Sequence, residues 1–213
     1  MLFCDRVDAG RQLAGSLKQY ANNADVIVLG LPRGGVVTAA VVAKALNLPL
    51  DIIVPRKIGA PMNEELAIGA MAEDGEVMLD EKLVRVLGVR EEYIDKAVFK
   101  ERAEAERRLR VYRGLHPPLT LQNKTAIIVD DGIATGATMR AAIASAKAKG
   151  AKRVIVAAPV IAPDTLLKLQ READEVIYLD APAYFAAVGQ FYEKFEQTTD
   201  EEVIGLLHKN MKA

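Results

Sequence analysis

The 213-residue sequence has few of the residues that cross-links, transition-metal sites and membrane spans require. Its single cysteine, Cys4, excludes an internal disulfide and a metal site built from several thiolates. The two histidines are isolated, and no spacing of histidine or cysteine predicts a transition-metal site. The most apolar stretch, Val154 to Pro163, is about half as long as a membrane-spanning helix.

The chain also lacks an excess of charge of one sign. Its 28 lysines and arginines oppose 29 aspartates and glutamates, which gives a formal net charge of −1. Without an overall basic field, nucleic acid is not expected as a partner, and no membrane partner is expected either. The first residues show no signal-peptide pattern, so a cytoplasmic location is the expectation. Hydrophobic residues make up 51% of the sequence, which predicts a folded chain.

Short β-rich runs alternate with helical patterns along the chain. The first helix is predicted over 8–20, with Asp8 as its N-cap. The alternation is typical of a three-layer α/β/α fold with a mainly parallel central sheet. We therefore predict one α/β domain over 1–213, with strands at 25–29, 50–54, 125–129, 153–158 and 175–179.

The pattern departs from this alternation between the second and third strands. Residues 55–63 are typical of a loop, and apolar runs on either side of Glu73-Asp74-Gly75 predict a β-hairpin. A long charged helix follows at about 90–113, and a homodimer contact through it is left open. The sequence thus predicts a hairpin and helical insertion at about 64–118 and a separate C-terminal element at about 181–213.

The strongest functional pattern follows the third strand, where a buried run leads to Asp130 and Asp131. A turn of small residues then opens a helix, and the carboxyl ends of parallel strands are where ligands bind in such sheets. The turn suits a phosphate, whereas two carboxylates suit hydroxyls or a cation. This combination predicts a sugar phosphate with a vicinal diol, held by Asp130, Asp131, Gly132, Ala134, Thr135, Gly136, Ala137 and Thr138. The alternative is a solvated Asp-Asp-Gly turn, which would normally lead into a strand.

Two further segments combine cations with glycine or proline. The first strand ends in a Gly-rich junction with one arginine, which is typical of an anion cradle, although an ordinary turn with a surface arginine is the alternative. The 55–63 segment carries two cations and could close over a polyanion, although surface cations are common without a role. The predicted anion-binding residues are Pro32, Arg33, Gly34, Gly35, Arg56 and Lys57.

Residues Val129 to Thr138 resemble the 5-phosphoribosyl 1-diphosphate (PRPP) motif of type I phosphoribosyltransferases. That motif is a hydrophobic strand, two acidic residues, a short spacer and Thr-Gly-x-Thr. The resemblance covers most of the chain and is strongest to stand-alone bacterial members of unassigned base specificity. It implies Mg²⁺-dependent transfer of a phosphoribosyl group to a nucleobase-like acceptor with release of pyrophosphate. It also implies that the C-terminal element at 181–213 is the family's hood over the base.

The resemblance assigns roles to the predicted residues. Asp130 and Asp131 would hold the ribose hydroxyls, would bind Mg²⁺ directly or through water, and would act in catalysis with Arg33 and Lys57. The anion-binding residues of both segments would hold pyrophosphate. In the loop after the first strand the family often has a cis peptide, which here would be Pro32-Arg33. The aspartate that 6-oxopurine enzymes carry at the position of Ala134 is missing, so such purines are not expected as acceptors. The expected base-binding residues are Val160, Ile161, Tyr184 and Phe185.

Two function classes remain open from the sequence. The first is a phosphoribosyltransferase, and the second is a PRPP-binding regulatory or sensor protein without transferase activity. The cationic 55–63 segment favours the transferase, because a protein that only binds PRPP needs no closing lid. A dinucleotide-binding oxidoreductase is excluded, since no G-x-G-x-x-G follows the first strand.

Overall fold

The structure of the chain, a computed structural model, describes residues 1–71, 75, 77–114 and 117–210. Its strands are β1 (Val26–Gly30), β2 (Leu50–Ile52), β3 (Arg56–Ala60), β4 (Asn63–Met71), β5 (Val77–Leu79), β6 (Thr125–Val129), β7 (Arg153–Val160) and β8 (Glu175–Asp180). Its helices are α1 (Arg6–Ser16), α2 (Gly34–Leu46), α3 (Glu81–Val86), α4 (Glu91–Arg113), α5 (Ala137–Ala148), α6 (Pro163–Glu172) and α7 (Asp200–Asn210). Short 3-10 turns lie at Lys18–Tyr20 and Val188–Phe191.

The main sheet is parallel and has the strand order β2-β1-β6-β7-β8 within the described residues. One of its faces packs against α1, α2 and α7, in a core that includes Leu13, Val36 and Leu207. The other face packs against α5 and α6 through residues such as Met139 and Leu169. Because helices cover both faces, the strands are continuous apolar runs, and the predicted three-layer α/β/α fold is confirmed.

The sheet reverses its winding direction at β1. The strand that follows β1 in the chain lies on one side of it, and β6 lies on the other side. Gly30 pairs with Val129 at the ends of β1 and β6, and the Leu31 N–H donates to the Val129 carbonyl oxygen at 3.0 Å. The loops that follow these two strands therefore begin side by side, at the switch point where open α/β sheets bind ligands.

Strands β3, β4 and β5 form a separate antiparallel sheet, inserted between β2 and β6. Helices α3 and α4 cover it, with Ile58 and Ile68 fully buried between them. The prediction of a loop over 55–63 is wrong for Arg56–Ala60, because Ile58 and Ala60 alternate into this small core while proline and glycine mark only its borders. The predicted hairpin forms from β4 and β5, but Glu73 and Asp74 of its turn lie outside the described residues.

The first helix begins three residues earlier than its sequence pattern indicates. Asp5, not Asp8, is the N-cap, since the Asp8 N–H donates to Asp5 Oδ1 at 2.8 Å. The predicted N-cap at Asp8 is therefore wrong, because two aspartates three residues apart can both satisfy a helix start and only the backbone conformation decides between them. The correction places Arg6 in the first turn of α1.

The end of α4 and the C-terminal helix both pack on the edge of the main sheet. Arg113 at the end of α4 forms a buried ion pair with Asp51 of β2, with Nε 2.9 Å from Oδ1. Helix α7 packs against α2, α4 and β2, with Val203 and Leu207 fully buried. None of the helices found in the described ranges combines the length and the apolar character that crossing a membrane requires.

Candidate active site

Asp130 and Asp131 follow β6 directly and lie against the start of α2. The Asp131 N–H donates to Asp130 Oδ1 at 2.9 Å. A Cβ atom on Gly35 would lie 2.7 Å from Asp130 Oδ1, and a Cβ atom on Gly34 would overlap Asp131 Oδ2. Any side chain at these two glycines would displace the carboxylates. The structure therefore brings the predicted diol-binding pair into contact with the predicted pyrophosphate loop.

The electrostatic environment of Asp130 is unfavourable to its charge. Burial raises the pKa of Asp130 well above its ordinary value, and the neighbouring Asp131 carboxylate raises it further. The Arg6 guanidinium acts in the opposite direction but is a smaller cause. A buried carboxylate in this state is stabilised by a ligand that brings hydroxyl donors or a cation.

Arg6 is a site residue that the sequence did not reveal. Its Nε lies 2.5 Å from Asp131 Oδ2, with the two side chains only 12% and 13% exposed. Arg6 Nη1 donates to the Glu196 carbonyl oxygen at 2.7 Å, and the guanidinium carbon lies 3.9 Å from the centroid of the Phe195 ring. Arg6 and Asp131 are 125 residues apart, so no local pattern joins them.

The chain after β8 also contacts Asp131. The Tyr192 hydroxyl donates to the Asp131 carbonyl oxygen at 2.5 Å, and burial raises the pKa of this tyrosine. Its ring packs against Phe195 and Phe3, with centroids 5.0 and 5.5 Å away. Arg6 thus holds the carboxylate of Asp131, and Tyr192 holds its backbone.

The small-residue turn after Asp131 opens helix α5. Gly136 is its N-cap in the left-handed region, with φ of 75°, and a Cβ atom there would lie 2.5 Å from Thr165 Cγ2. The Thr165 hydroxyl donates to the Ala134 carbonyl oxygen at 2.6 Å and fixes the start of the turn. Thr135 and Thr138 are exposed, and no side chain of the described residues caps the first N–H groups of α5. The turn can therefore offer N–H and hydroxyl donors to an anion.

The loop after β1 has the geometry that the resemblance implied, with a cis peptide bond between Pro32 and Arg33. Helix α2 begins at Gly34, and no side chain in the described part of the chain caps it. Arg33 Nη1 lies 3.7 Å from Asp200 Oδ1 at the start of α7, and the Tyr112 hydroxyl donates to the same oxygen at 2.8 Å. These contacts hold Arg33 at the edge of the site.

A cavity of about 650 Å³ adjoins both loops. Pro32 and Thr138 line it from the loops that follow β1 and β6, and residues of β3 and α4 form a second wall. The predicted cations Arg56 and Lys57 lie on that wall, and Arg56 Nε donates to Glu101 Oε2 at 2.5 Å. The structure thus places these two residues on a strand facing the site, not on a free loop.

The four predicted base-binding residues do not form one surface. Val160 and Ile161 are fully buried in the apolar cores, so they offer no side-chain surface to a ligand in this conformation. Phe185 packs on Phe191, with ring centroids 5.0 Å apart, whereas Tyr184 is 79% exposed. Contact between these residues and a base stays a prediction.

The residues at the Asp130 site fit a metal ion that is held mainly by its substrate. Within the described ranges, no three acidic, histidine or cysteine side chains cluster tightly enough to hold a metal alone. Asp131 Oδ2 is already engaged by Arg6. Mg²⁺ is usually held by one or two carboxylates, by water and by substrate phosphates, and Asp130 with the second oxygen of Asp131 matches that donor set.

Comparison with known proteins identifies the family of this chain. The model of the phosphoribosyl transferase domain family matches residues 5–194. Two Mycobacterium tuberculosis proteins, from strains CDC 1551 / Oshkosh and ATCC 25618 / H37Rv, carry the name "Putative phosphoribosyl transferase" and are 47% identical over 208 residues. The match covers 98% of this chain and 47% of theirs, so the chain spans about half the length of these curated relatives.

One solved structure shares the fold over nearly the whole chain. It is a crystal structure of a Thermus thermophilus protein, 40% identical in sequence, with a TM-score of 0.90. The match covers 98% of this chain and 99% of that one. The inserted antiparallel unit and the C-terminal helix therefore belong to a fold that a second protein adopts.

Proposed function

This chain belongs to the phosphoribosyl transferase domain family, and from that premise we propose that it transfers a phosphoribosyl group from PRPP to a nucleobase-like acceptor, releasing pyrophosphate. The observation that carries the proposal is the contact between the Asp130–Asp131 pair and the Gly34–Gly35 backbone. It brings a diol-binding pair and an anion-binding helix start to one point, which PRPP requires because its diphosphate is attached next to the ribose diol. The names of the M. tuberculosis relatives support the same activity.

Each group of site residues binds a different part of the substrate. Asp130 and Asp131 accept hydrogen bonds from the ribose hydroxyls and, by their negative charge, favour a ring that becomes cationic as the bond to pyrophosphate breaks. The turn from Ala134 to Thr138 holds the 5′-phosphate at the start of α5. Arg33 and the N–H groups of Gly34 and Gly35 face the leaving pyrophosphate and stabilise its growing charge.

The proposal includes Mg²⁺ as the cofactor. Asp130 would hold it, with Asp131 contributing directly or through water. When bound, the ion supplies positive charge that neutralises the leaving pyrophosphate. The raised pKa of Asp130 supports this assignment, because a cation beside that carboxylate offsets the cost of its burial.

Two further parts of the proposal rest on the sequence. The acceptor is a base other than a 6-oxopurine, since Ala134 has no group that could take a proton. A cytoplasmic location stays a prediction as well.

Calorimetric titration of PRPP, with and without Mg²⁺, tests the proposal. The wild-type protein should bind PRPP in a Mg²⁺-dependent manner, and Asp130→Asn with Asp131→Asn should weaken binding by ~100-fold, because two charged acceptors of the diol are lost. The exposed pair Asp95→Asn with Asp164→Asn makes the same change of charge and should leave the affinity as it is. Unchanged PRPP affinity in the Asp130/Asp131 variant would contradict the diol assignment.

Product analysis then separates the transferase from a PRPP sensor. Pyrophosphate release should require both PRPP and one member of a panel of bases. Tight PRPP binding without pyrophosphate release in the presence of any base would instead favour the sensor.

A further inference from the structure

The wall of the 650 Å³ cavity that faces the two anion loops carries mostly positive charge. Among the described residues that line it, five are cations and one is a carboxylate, Glu101. Two of the cations, Arg56 and Lys57, lie on β3, and the other three lie on α4 and are Lys96, Lys100 and Arg108. The family resemblance assigns no role to the cations of α4.

The lining residues of α4 occupy one side of that helix. Tyr93, Ala97, Lys100 and Arg108 are separated by four, three and eight residues, which is the spacing of a single helical face, and Lys96 and Glu101 flank that row. Further along the chain, the same helix is anchored to the main sheet by the buried pair of Arg113 and Asp51. The position of this face relative to the main sheet is therefore fixed by packing.

Two of the five cations are already neutralised by carboxylates. Arg56 pairs with Glu101 in a contact where both side chains are less than one-fifth exposed, at 19% and 16%. Arg108 Nε lies 2.8 Å from Glu104 Oε1. Lys96 and Lys100 are exposed and form no salt bridge with any residue that the structure describes. Both side chains line the cavity, so their charges are available to an anionic ligand there.

We propose that Lys96 and Lys100 of α4 are a diphosphate-binding pair that holds the pyrophosphate group together with the Pro32–Gly35 loop. The inference rests on the proposed function in one respect, because it takes the diphosphate to be that of PRPP. The pair lines the same cavity as Pro32 and Thr138, which belong to the two anion-binding loops. An anion with several charges that lies on those loops therefore faces two ammonium groups one helical turn apart.

The chemistry of the pair matches this ligand class. Lysines present compact charges on flexible stems, so two of them can follow a diphosphate as it leaves the ribose without matching a fixed planar geometry. The ligand also removes the repulsion between neighbouring ammonium groups. The inserted unit thus contributes a second wall of the site, and the main sheet alone would leave the pyrophosphate group exposed to water on that side.

Calorimetric titration with inorganic pyrophosphate tests the pair directly, with ribose 5-phosphate as the second probe. Lys96→Gln with Lys100→Gln should weaken pyrophosphate binding by about tenfold, because two charge-assisted contacts are lost. The affinity for ribose 5-phosphate should stay as in the wild type, since that probe contacts only the loop after β6. Both substitutions lie on an exposed helix face, and a thermal unfolding curve checks that the fold is kept.

The matched control is Arg110→Gln with Lys168→Gln, which removes two exposed cations that do not line this cavity. It should bind pyrophosphate as the wild type does. The proposal is overturned by wild-type protein that binds no pyrophosphate, by a Lys96/Lys100 variant that binds it normally, or by an equal loss in the control. An equal loss of affinity for both probes in the Lys96/Lys100 variant would also overturn the proposal, because that result would show a general charge effect.

The same titrations separate this inference from the proposed function. If pyrophosphate binding depends on the pair but the protein does not bind PRPP, the diphosphate site is supported and the transferase activity is contradicted. Normal PRPP binding and turnover in the Lys96/Lys100 variant would sustain the transferase and reject the pair.

Discussion

The two adjacent carboxylates after β6 have different surroundings, although they share the same residue type. Asp131 is held by Arg6 through its carboxylate and by Tyr192 through its carbonyl oxygen. Asp130 accepts the N–H of Asp131, and it lies against the Gly35 backbone, where burial raises its pKa. One carboxylate is thus held by an ion pair within the protein, whereas the surroundings of the other disfavour its negative charge.

Asp130→Asn should stabilise the protein at neutral pH while it weakens PRPP binding. The folded-state pKa of Asp130 is raised above the unfolded value of about 3.9, so the folded protein holds this proton more tightly. The variant and the wild type should therefore be equally stable below about pH 4. As the pH rises through the raised pKa, the wild type should become less stable than the variant.

Urea unfolding from pH 3 to pH 8 measures this difference. Asp164→Asn at an exposed position is the control and should show no such trend with pH. A stability gain that is the same at every pH would show that charge on Asp130 is not its cause.

Arg6→Met should weaken PRPP binding by changing both aspartates. The substitution leaves Asp131 without its ion-pair partner and removes one of the groups that lower the pKa of Asp130. We expect a loss of about 2 kcal/mol in unfolding free energy and a PRPP-binding profile whose acid limb moves to higher pH. The measurements are urea unfolding and PRPP titration between pH 5 and pH 8.

Arg11→Met on the exposed face of α1 is the control for Arg6. Arg6→Lys should restore part of the affinity, because it keeps the charge but not the two-way hydrogen bonding. A Met variant with the wild-type pH profile would limit Arg6 to a purely structural role.

At the scale of the elements, one buried ion pair joins the inserted unit to the main sheet. Arg113 Nε and Nη2 lie 2.9 and 3.1 Å from the two oxygens of Asp51, and Nη2 donates to the Ile52 carbonyl oxygen at 2.8 Å. The Leu119 N–H donates to Asp51 Oδ2 at 3.0 Å. Through these contacts the end of α4 and the chain that follows it are fixed on the edge strand β2.

Arg113→Met should therefore destabilise the whole fold. It leaves Asp51, which is almost fully buried, without its cation, and losing one partner of a buried pair costs about 3–5 kcal/mol. Arg110→Met, three residues earlier and exposed, should change the unfolding free energy by less than about 0.5 kcal/mol. Urea unfolding of both variants tests this prediction, and equal unfolding free energies would show that the Arg113–Asp51 pair contributes little.

At the scale of the whole molecule, the charge is close to balanced but unevenly placed. The net charge is −1, yet the described lining of the 650 Å³ cavity holds five cations against one carboxylate. The electrostatic field in the cavity is therefore positive, although the overall composition has no excess of positive charge. This concentration of cations beside the two anion loops is what the proposed substrate needs.

Pyrophosphate binding should therefore depend on ionic strength. Salt screens exposed charges over about 10 Å at 0.1 M, so the wild-type affinity should fall steadily as NaCl is raised. Lys96→Gln with Lys100→Gln should show a smaller slope, because two of the exposed cations are gone. Calorimetric titrations over a series of NaCl concentrations test this, and parallel slopes for the two proteins would contradict it.

The sequence by itself determined the features that depend on neighbours in the chain. The apolar runs of β1 and β6, the glycines that follow β1 and the turn that opens α5 each lie within about a dozen residues. Periodicity and turn chemistry act over that range, so the fold class and the two loops could be predicted. The strand β3 was missed, because its borders of proline and glycine masked a short alternation.

Only the tertiary structure decided which distant residues meet at the site. Arg6 reaches Asp131 because helix packing brings the start of α1 to the end of β6, and Lys96 lines the same cavity as the anion loops because α4 packs on the sheet edge. It also buried Val160, which the strand pattern had left available to a ligand. The physical reason is that strand order and helix packing depend on the whole core, whereas a sequence pattern records only the local chain.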